Sequence, residues 1–299
     1  MQMLGQLAAL STAVCWTVTS LSFEAAGRRV GSLQVNLIRL VIAFLLFALY
    51  GAVVHDRVLP LDAGTHVWIW LSLSGVVGFV IGDLFLFQAF VDAGARTAML
   101  VYSSVPPMTA VLGWLILGER LTPVQIVAMV LTVTGIMIVT TARAPRPIGE
   151  ALPYPRRLRG VWLAVVGALG QAGGLVLSRY GAPTYDAFGA TQIRTLSGIA
   201  GFIILFMVTR RWGLVKRALQ DRTALRHIGR GAFFGPFLGV SLGLIAAQRA
   251  GTGVAATIIA TVPVLLIPVA IVYFKERVTG REIFGSVTAV VGVGLLFLA

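Results

Sequence analysis

The sequence predicts an all-α integral membrane protein of ten transmembrane helices, arranged as two inverted five-helix repeats. Three observations lead there. Of the 299 residues, 58% are hydrophobic and only 12% charged, with a mean hydropathy of +0.91. The apolar residues gather into runs of bilayer-spanning length. The chain also repeats itself about halfway along. A soluble domain is about a quarter charged, so this composition excludes a disordered chain, a disulfide-rich secreted domain and almost any water-soluble enzyme.

A bilayer core of about 30 Å needs roughly 20 apolar residues per helix. Cutting the chain at charged, Pro- and Gly-marked breaks gives ten such segments: 3–26, 32–53, 67–90, 95–117, 123–142, 159–181, 187–209, 229–248, 252–274 and 280–298. The first has no positive charge before it and is too long for a signal core, so it reads as a span. The third contains Asp83 and the fourth Pro106. The seventh contains Arg194, and the ninth Pro263. Strands are excluded because the runs are apolar on all sides, and an open sheet edge cannot face lipid. Most connectors are too short to hold a domain. The longest are 143–158 and 210–228, and the latter reads as a charged topology determinant more readily than as a lipid-bound amphipathic helix. The expected organisation is repeat 1 at 1–142, a linker at 143–158 and repeat 2 at 159–299.

Charge placement sets the expected orientation. The connectors after helices one, three, five, seven and nine carry 18 of the 24 Lys and Arg residues; the opposite face carries Arg57, Arg120, Arg179 and Arg249. By the positive-inside rule the odd-numbered connectors are cytoplasmic and the protein sits in the cell's inner (plasma) membrane. The net charge of +13 is then a topology signal, and nucleic-acid binding is not expected. Cys15 is the only cysteine, and His55, His66 and His227 lie in polar connectors, so no metal site or disulfide is expected. The only lysines are Lys216 and Lys275 and no phosphate-binding loop is present, so no cofactor and no ATP-driven motor are expected.

Gly94, Ala98, Pro106, Glu119, Arg120, Thr122 and Gly135 match Gly251, Ala255, Pro263, Glu276, Arg277, Thr279 and Gly292 at an offset of 157. Earlier in each half the offset is 155, pairing Gly5 with Gly160 and Arg39 with Arg194. Five spans per repeat is an odd number, so the second repeat enters the membrane in the opposite sense. Inverted repeats recur in secondary transporters, with the substrate site near the midplane between them.

The segment LGERLTPVQIVAMVLTVTGIMIV (117–139) and its echo FKERVTGREIFGSVTAVVGVGLLFL (274–298) resemble the end of the EamA-type repeat of the drug/metabolite transporter superfamily. An Arg in the second helix (Arg39, echoed by Arg194) and a Pro-bearing fourth helix strengthen the resemblance, which covers essentially the whole chain. It implies a ten-helix, 5+5 exporter or exchanger of amino acids, other metabolites or drugs. The basic cluster departs from the pattern, lying between helices seven and eight instead of two and three.

Charges inside a span are costly and mark function by default. Asp83 (FVIGDLFLF) and Arg39 lie at similar depth and are expected to pair, as a structural ion pair or as a substrate- or proton-handling group. Asp83 has Val240 as its counterpart, whereas Arg39 has Arg194. Trp16 and Gln171 are positional equivalents in helices one and six. Gln88, Tyr102, Ser103, Gln248 and Thr257 complete the candidate substrate-binding set. Pro106 and Pro263 are expected to kink helices four and nine. Glu24 and Arg179 read as interfacial, and Glu119 and Glu276 as turn or cap residues with a cross-repeat Arg as the alternative partner.

The function expected is secondary transport of small organic solutes such as amino acids, by alternating access. Proton-coupled drug or cation efflux at Asp83 is the competing transport reading. A membrane enzyme or a non-transporting scaffold is the alternative of another class. The expected partners are a small-molecule substrate, the lipid bilayer and, at most, a second copy of the chain as a homodimer.

Overall fold

The computed structural model describes residues 2–93, 101–142, 154–262, 264–265 and 279–298. Among them the chain is helical, with no strand. Helix α1 (Gln2–Val30) and α2 (Ser32–Val54) are followed by α3 (Thr65–Gly75), which runs through a π-helical stretch, Val76–Gly82, into α4 (Asp83–Ala93). Next come α5 (Val105–Leu117), α6 (Pro123–Ala142), α7 (Tyr154–Gly181), α8 (Ala187–Thr209), α9 (Trp212–Gln220) and α10 (Arg222–Ala232). A second π-helical stretch, Phe233–Gly239, leads into α11 (Val240–Ala250), then α12 (Thr252–Ile259) and α13 (Gly280–Leu298). Seven helices are long and apolar enough to cross a membrane; Val105–Leu117 and Pro123–Val139 are shorter apolar helices. Parts of the fourth and ninth expected spans fall outside the described residues, and so do Pro263 and Glu276.

The duplication is structural as well as sequential. The π-helical stretches begin at Val76 and Val76's counterpart Phe233, the same offset of 157. Helices α2 and α8 have 23 residues each. The first helices of the two repeats meet the third helices of the opposite repeats. A Cβ at Gly239 would touch Trp16 and Cys15, while one at Gly82 would touch Gln171; Thr19 lies at Gly235, as Gly174 lies at Gly78. Small residues make these approaches possible, as expected for helix packing in lipid.

Helices α6 and α13 run antiparallel and exchange matching contacts. A Cβ at Gly135 would strike the backbone of Ala289 and Gly285, and one at Gly292 would strike Thr132 and Ala128. These residues are one another's equivalents, so each half makes the same contact with the other. The same logic pairs α2 with α8, where Leu40 reaches Gly198 and Phe47 meets Phe188.

Serine and threonine hydroxyls within the helices return to their own backbones four residues earlier, as at Thr12, Ser178, Thr191 and Thr257. That satisfies the hydroxyl without leaving a free polar group in hydrocarbon. The paired capping boxes are equally local. Thr122 and Gln125 start α6, and Thr279 and Glu282 start α13, each side chain accepting from the other's backbone N–H.

One expectation is filled in and one is corrected. The connector after α8 folds into two basic helices, α9 and the start of α10, which gives the amphipathic alternative its helical form; α9 buries Val215 and Ala218 while exposing Trp212 and Leu214. Asp221 breaks the two apart by capping α10, its carboxylate accepting from the Ala224 N–H at 2.9 Å. The proline of the fourth span does not kink a continuous helix. Residues 101–102 are helical, Ser103 and Ser104 form a turn, and Pro106 lies in the first turn of α5. A proline there gives up an N–H that has no partner in the helix anyway.

Candidate functional site

At the centre of the fold, two arginines enter from opposite sides. Arg39 lies seven residues into α2 and Arg194 seven residues into the antiparallel α8, each about 10 Å from its helix start at 1.5 Å per residue. Both are buried, and Asp83 lies between them, 6% exposed at the junction of the π-helical stretch and α4. The π-helical stretch widens the turn that carries Gly78 and Gly82, a feature often found at functional positions.

Arg39 Nη2 donates to Asp83 Oδ2, the pair anticipated from their depth. The other carboxylate oxygen, Oδ1, accepts from Gln171 Nε2 at 2.8 Å. Arg39 also covers the Phe23 ring at 5.3 Å, and Arg194 covers Phe79 at 4.8 Å. Tyr102 lies within electrostatic reach of Asp83 and Arg39. The result is a buried group of two cations and one anion, contributed by both repeats.

Other candidates fall elsewhere. Trp16 holds Gln171's equivalent position but faces Gly239, beside Val240 instead of a carboxylate. Gln88 is exposed and donates to Asp92 at 3.2 Å. Gln248 fastens the connector after α7, donating to the carbonyls of Ala182 and of Tyr185, the latter at 3.1 Å. Thr257 is buried and bonds to Gly253 O at 2.8 Å. Ser103 is buried in the turn between the halves of the fourth span.

That turn has a twin. Ser104 Oγ donates to Val101 O at 2.6 Å, and Thr261 Oγ1 donates to Ile258 O at 2.7 Å. Their positions differ by 157, so the chain breaks at equivalent places before α5 and after α12. Sequence reading marked the prolines; the helix breaks themselves come from hydroxyls bonding three residues back, a competition with the helix ladder that Ser and Thr offer.

Polar networks close the ends of the bundle. Glu119 accepts from Thr252 N at 2.8 Å and from Thr252 Oγ1 at 2.6 Å, capping α12, and lies 3.8 Å from Arg179. The cross-repeat arginine is thus Arg179, which sequence reading placed merely at an interface. Gly118, at φ 69°, turns the chain so that Glu119 points back toward α12. On the face of the second and sixth connectors, Arg57 pairs with Asp62 at 2.8 Å and Tyr185 Oη donates to the same carboxylate at 2.9 Å. Burial and the Asp62 charge push the Tyr185 phenol above its ordinary range. These residues border a cavity of about 50 Å³ lined also by Tyr50, His55 and Gln192.

The model of the EamA-like transporter family matches residues 3–141 and again 158–298. The chain belongs to that family, within the drug/metabolite transporter superfamily. Its curated relatives include human solute carrier family 35 member G1, 26% identical over 54% of this chain and 44% of that protein. The threonine/homoserine exporter RhtA of Escherichia coli (strain K12) is 31% identical over 40% of each. An uncharacterised membrane protein of Saccharomyces cerevisiae is 22% identical over 76% of this chain and 57% of its own length. The matches therefore span about half the length of these relatives. A solved crystal structure superposes over 97% of this chain and 95% of its own with a TM-score of 0.72 at 17% identity, which shows a shared fold. The family match and the long apolar helices make this a multi-pass membrane protein of a transporter family. In this EamA chain the Arg39–Asp83–Gln171 contact joins the two matched regions.

Proposed function

We propose that this protein is a secondary active exporter or exchanger of small organic solutes, amino acids or related metabolites among them, working by alternating access. Ten spans would form two inverted repeats, 1–142 and 159–299, around the linker 143–158, in the plasma membrane with the odd-numbered connectors cytoplasmic. The observation that carries this reading is the matched exchange of contacts between α6 and α13 and between the first and third helices of opposite repeats. Two near-equivalent halves meeting about a buried charged centre can trade conformations, so that a pathway open to one side becomes open to the other. The amino-acid class draws on the threonine/homoserine exporter RhtA.

Within this reading Asp83 is the pivot, because its two oxygens bind one residue from each repeat. Release of either bond accompanies rearrangement of the halves. Trp16, Tyr102 and Ser103 would line the route beside it. Gln88, Gln248 and Thr257 hold helices and connectors through the bonds described above, which leaves them outside the centre.

The test is uptake and counterflow into proteoliposomes, screened across amino acids, nucleosides and cationic drugs, with and without a pH gradient. Flux of at least one solute class that Asp83→Asn slows at least tenfold is the expected result. A folded, reconstituted protein that moves nothing defeats the transport reading. Flux of cations alone, driven by a pH gradient, favours drug or cation efflux instead.

A further inference from the structure

Among the described residues no carboxylate bonds to Arg194, and Asp83 reaches it only through its charge. Arg194 is 5% exposed, and its Nε has no hydrogen-bond partner. No carboxylate among the described residues forms an ion pair with it. Both oxygens of Asp83 are engaged, Oδ2 by Arg39 and Oδ1 by Gln171. The reason lies in the duplication. Each repeat carries the arginine, but the position equivalent to Asp83 is Val240, an apolar residue packed against the cluster that includes Phe79, the ring that Arg194 covers. Gly78 leaves the guanidinium room: a Cβ there would come within 3.3 Å of Nη2. A buried guanidinium that shares its acid with a second arginine and bonds to no carboxylate is unfavourable, and charges in such places mark substrate pathways.

We propose that Arg194 docks the carboxylate of the transported solute, so that the substrate class is small organic acids, zwitterionic amino acids among them. The inference rests on the transport reading above. The planar guanidinium presents parallel N–H donors that match a carboxylate in a two-bond fork, which a lysine ammonium cannot reproduce. The solute completes the charge balance that Asp83 supplies for Arg39, while the Phe79 ring under the guanidinium holds it in place.

The experiment uses the full chain in vesicles of neutral phosphatidylcholine, so that anionic headgroups cannot substitute for the solute. The probes are L-threonine, L-alanine, L-lactate and succinate, each beside its methyl ester or amide, with uridine and tetraphenylphosphonium as solutes lacking a carboxylate. At least one acid is expected to move, and to raise the melting temperature, while its neutral derivative does neither. R194Q should weaken the apparent affinity for that acid at least tenfold, and R194K by less. Without ligand, R194Q should melt no lower than the wild type, since Asp83 keeps its bonds to Arg39 and Gln171 when the second cation is gone; a merely structural arginine would show the opposite. Equal handling of acid and ester, or wild-type affinity in R194Q, overturns the proposal. So does a protein that moves only uridine or tetraphenylphosphonium, with the transport reading intact. If no probe of any class moves or stabilises the folded protein, both fall. Should R194Q fail to fold, an unchanged KM for the acid in R194K overturns the proposal instead.

Discussion

Gln171 and Asp83 belong to different repeats and meet at 2.8 Å, the Gln171 amide donating to the carboxylate oxygen that Arg39 leaves free. The equivalent of Gln171 is Trp16, which faces the equivalent glycine, Gly239, with no carboxylate before it. A symmetric frame therefore holds an asymmetric centre, and the asymmetry lies in two pairs: Asp83 against Val240 and Gln171 against Trp16.

Asp83→Asn should destabilise the protein strongly, because it leaves Arg39 buried without a counter-ion. Breaking a buried pair by removing one partner costs about 3–5 kcal/mol. The double variant R39Q/D83N should recover most of that loss, since both charges are then gone. Thermal or denaturant unfolding in detergent, assembled into a double-mutant cycle, measures the coupling; additive losses would deny it.

Glu119→Ala should cost about 1–2 kcal/mol, the range for a lost helix cap. Glu119 satisfies the first N–H of α12 and the Thr252 hydroxyl together. Glu119→Gln keeps one acceptor oxygen and should lose less. Because the bond crosses between repeats, hydrogen exchange should show faster opening of α12 in the alanine variant and no change in α2.

Gly135→Leu and Gly292→Leu should each unseat the α6–α13 contact, since even a Cβ at either position meets backbone of the facing helix. Backbone cannot yield as a flexible side chain can, so overpacking here should cost about 1–3 kcal/mol or more. Gly294→Leu, with open space around its Cβ position, should be tolerated. Fluorescence-detected gel filtration against temperature compares the three, and equal melting would remove the close-packing argument.

Asp221 should give the α9–α10 junction an acid-sensitive foothold. The Ala224 N–H, and then the Arg29 guanidinium at 2.9 Å, hold its carboxyl below the ordinary 3.8. A lowered folded-state pKa adds stability above the unfolded value and loses it as pH falls through the folded one. Exchange of the α10 amides should thus quicken below pH 3.8 in the wild type, whereas Asp221→Asn should show no such step. The effect should be small and weakened by salt, as the side chains are partly exposed.

Much of the fold could be read from the chain because its signals are one-dimensional. Spans follow from apolar length, and the duplication from matched residues such as Glu119 with Glu276. The Arg39–Asp83 pair was accessible too, since depth along neighbouring helices is a matter of counting. The paired helix breaks were half visible: Pro106 and Pro263 marked the place, but the turn at Ser103–Ser104 depends on a hydroxyl choosing a carbonyl three residues back. Gln88 and Gln248 illustrate the limit. A polar residue in an apolar run looks like a site whichever way it faces, and Gln248 instead holds the Ala182–Tyr185 connector.

By itself the sequence determined the solvent, the helical class and the two-fold repetition, because lipid demands apolar length and satisfied backbones from every segment separately. Only the tertiary structure decided the partners. That Gln171 reaches Asp83 across 88 residues, that Glu119 caps Thr252 across 133, and that Arg194 bonds to no carboxylate among the described residues are all statements about distance. Such contacts depend on how helices cross and on which glycines let them approach. No local pattern encodes that, because each contact is set jointly by residues far apart in the chain.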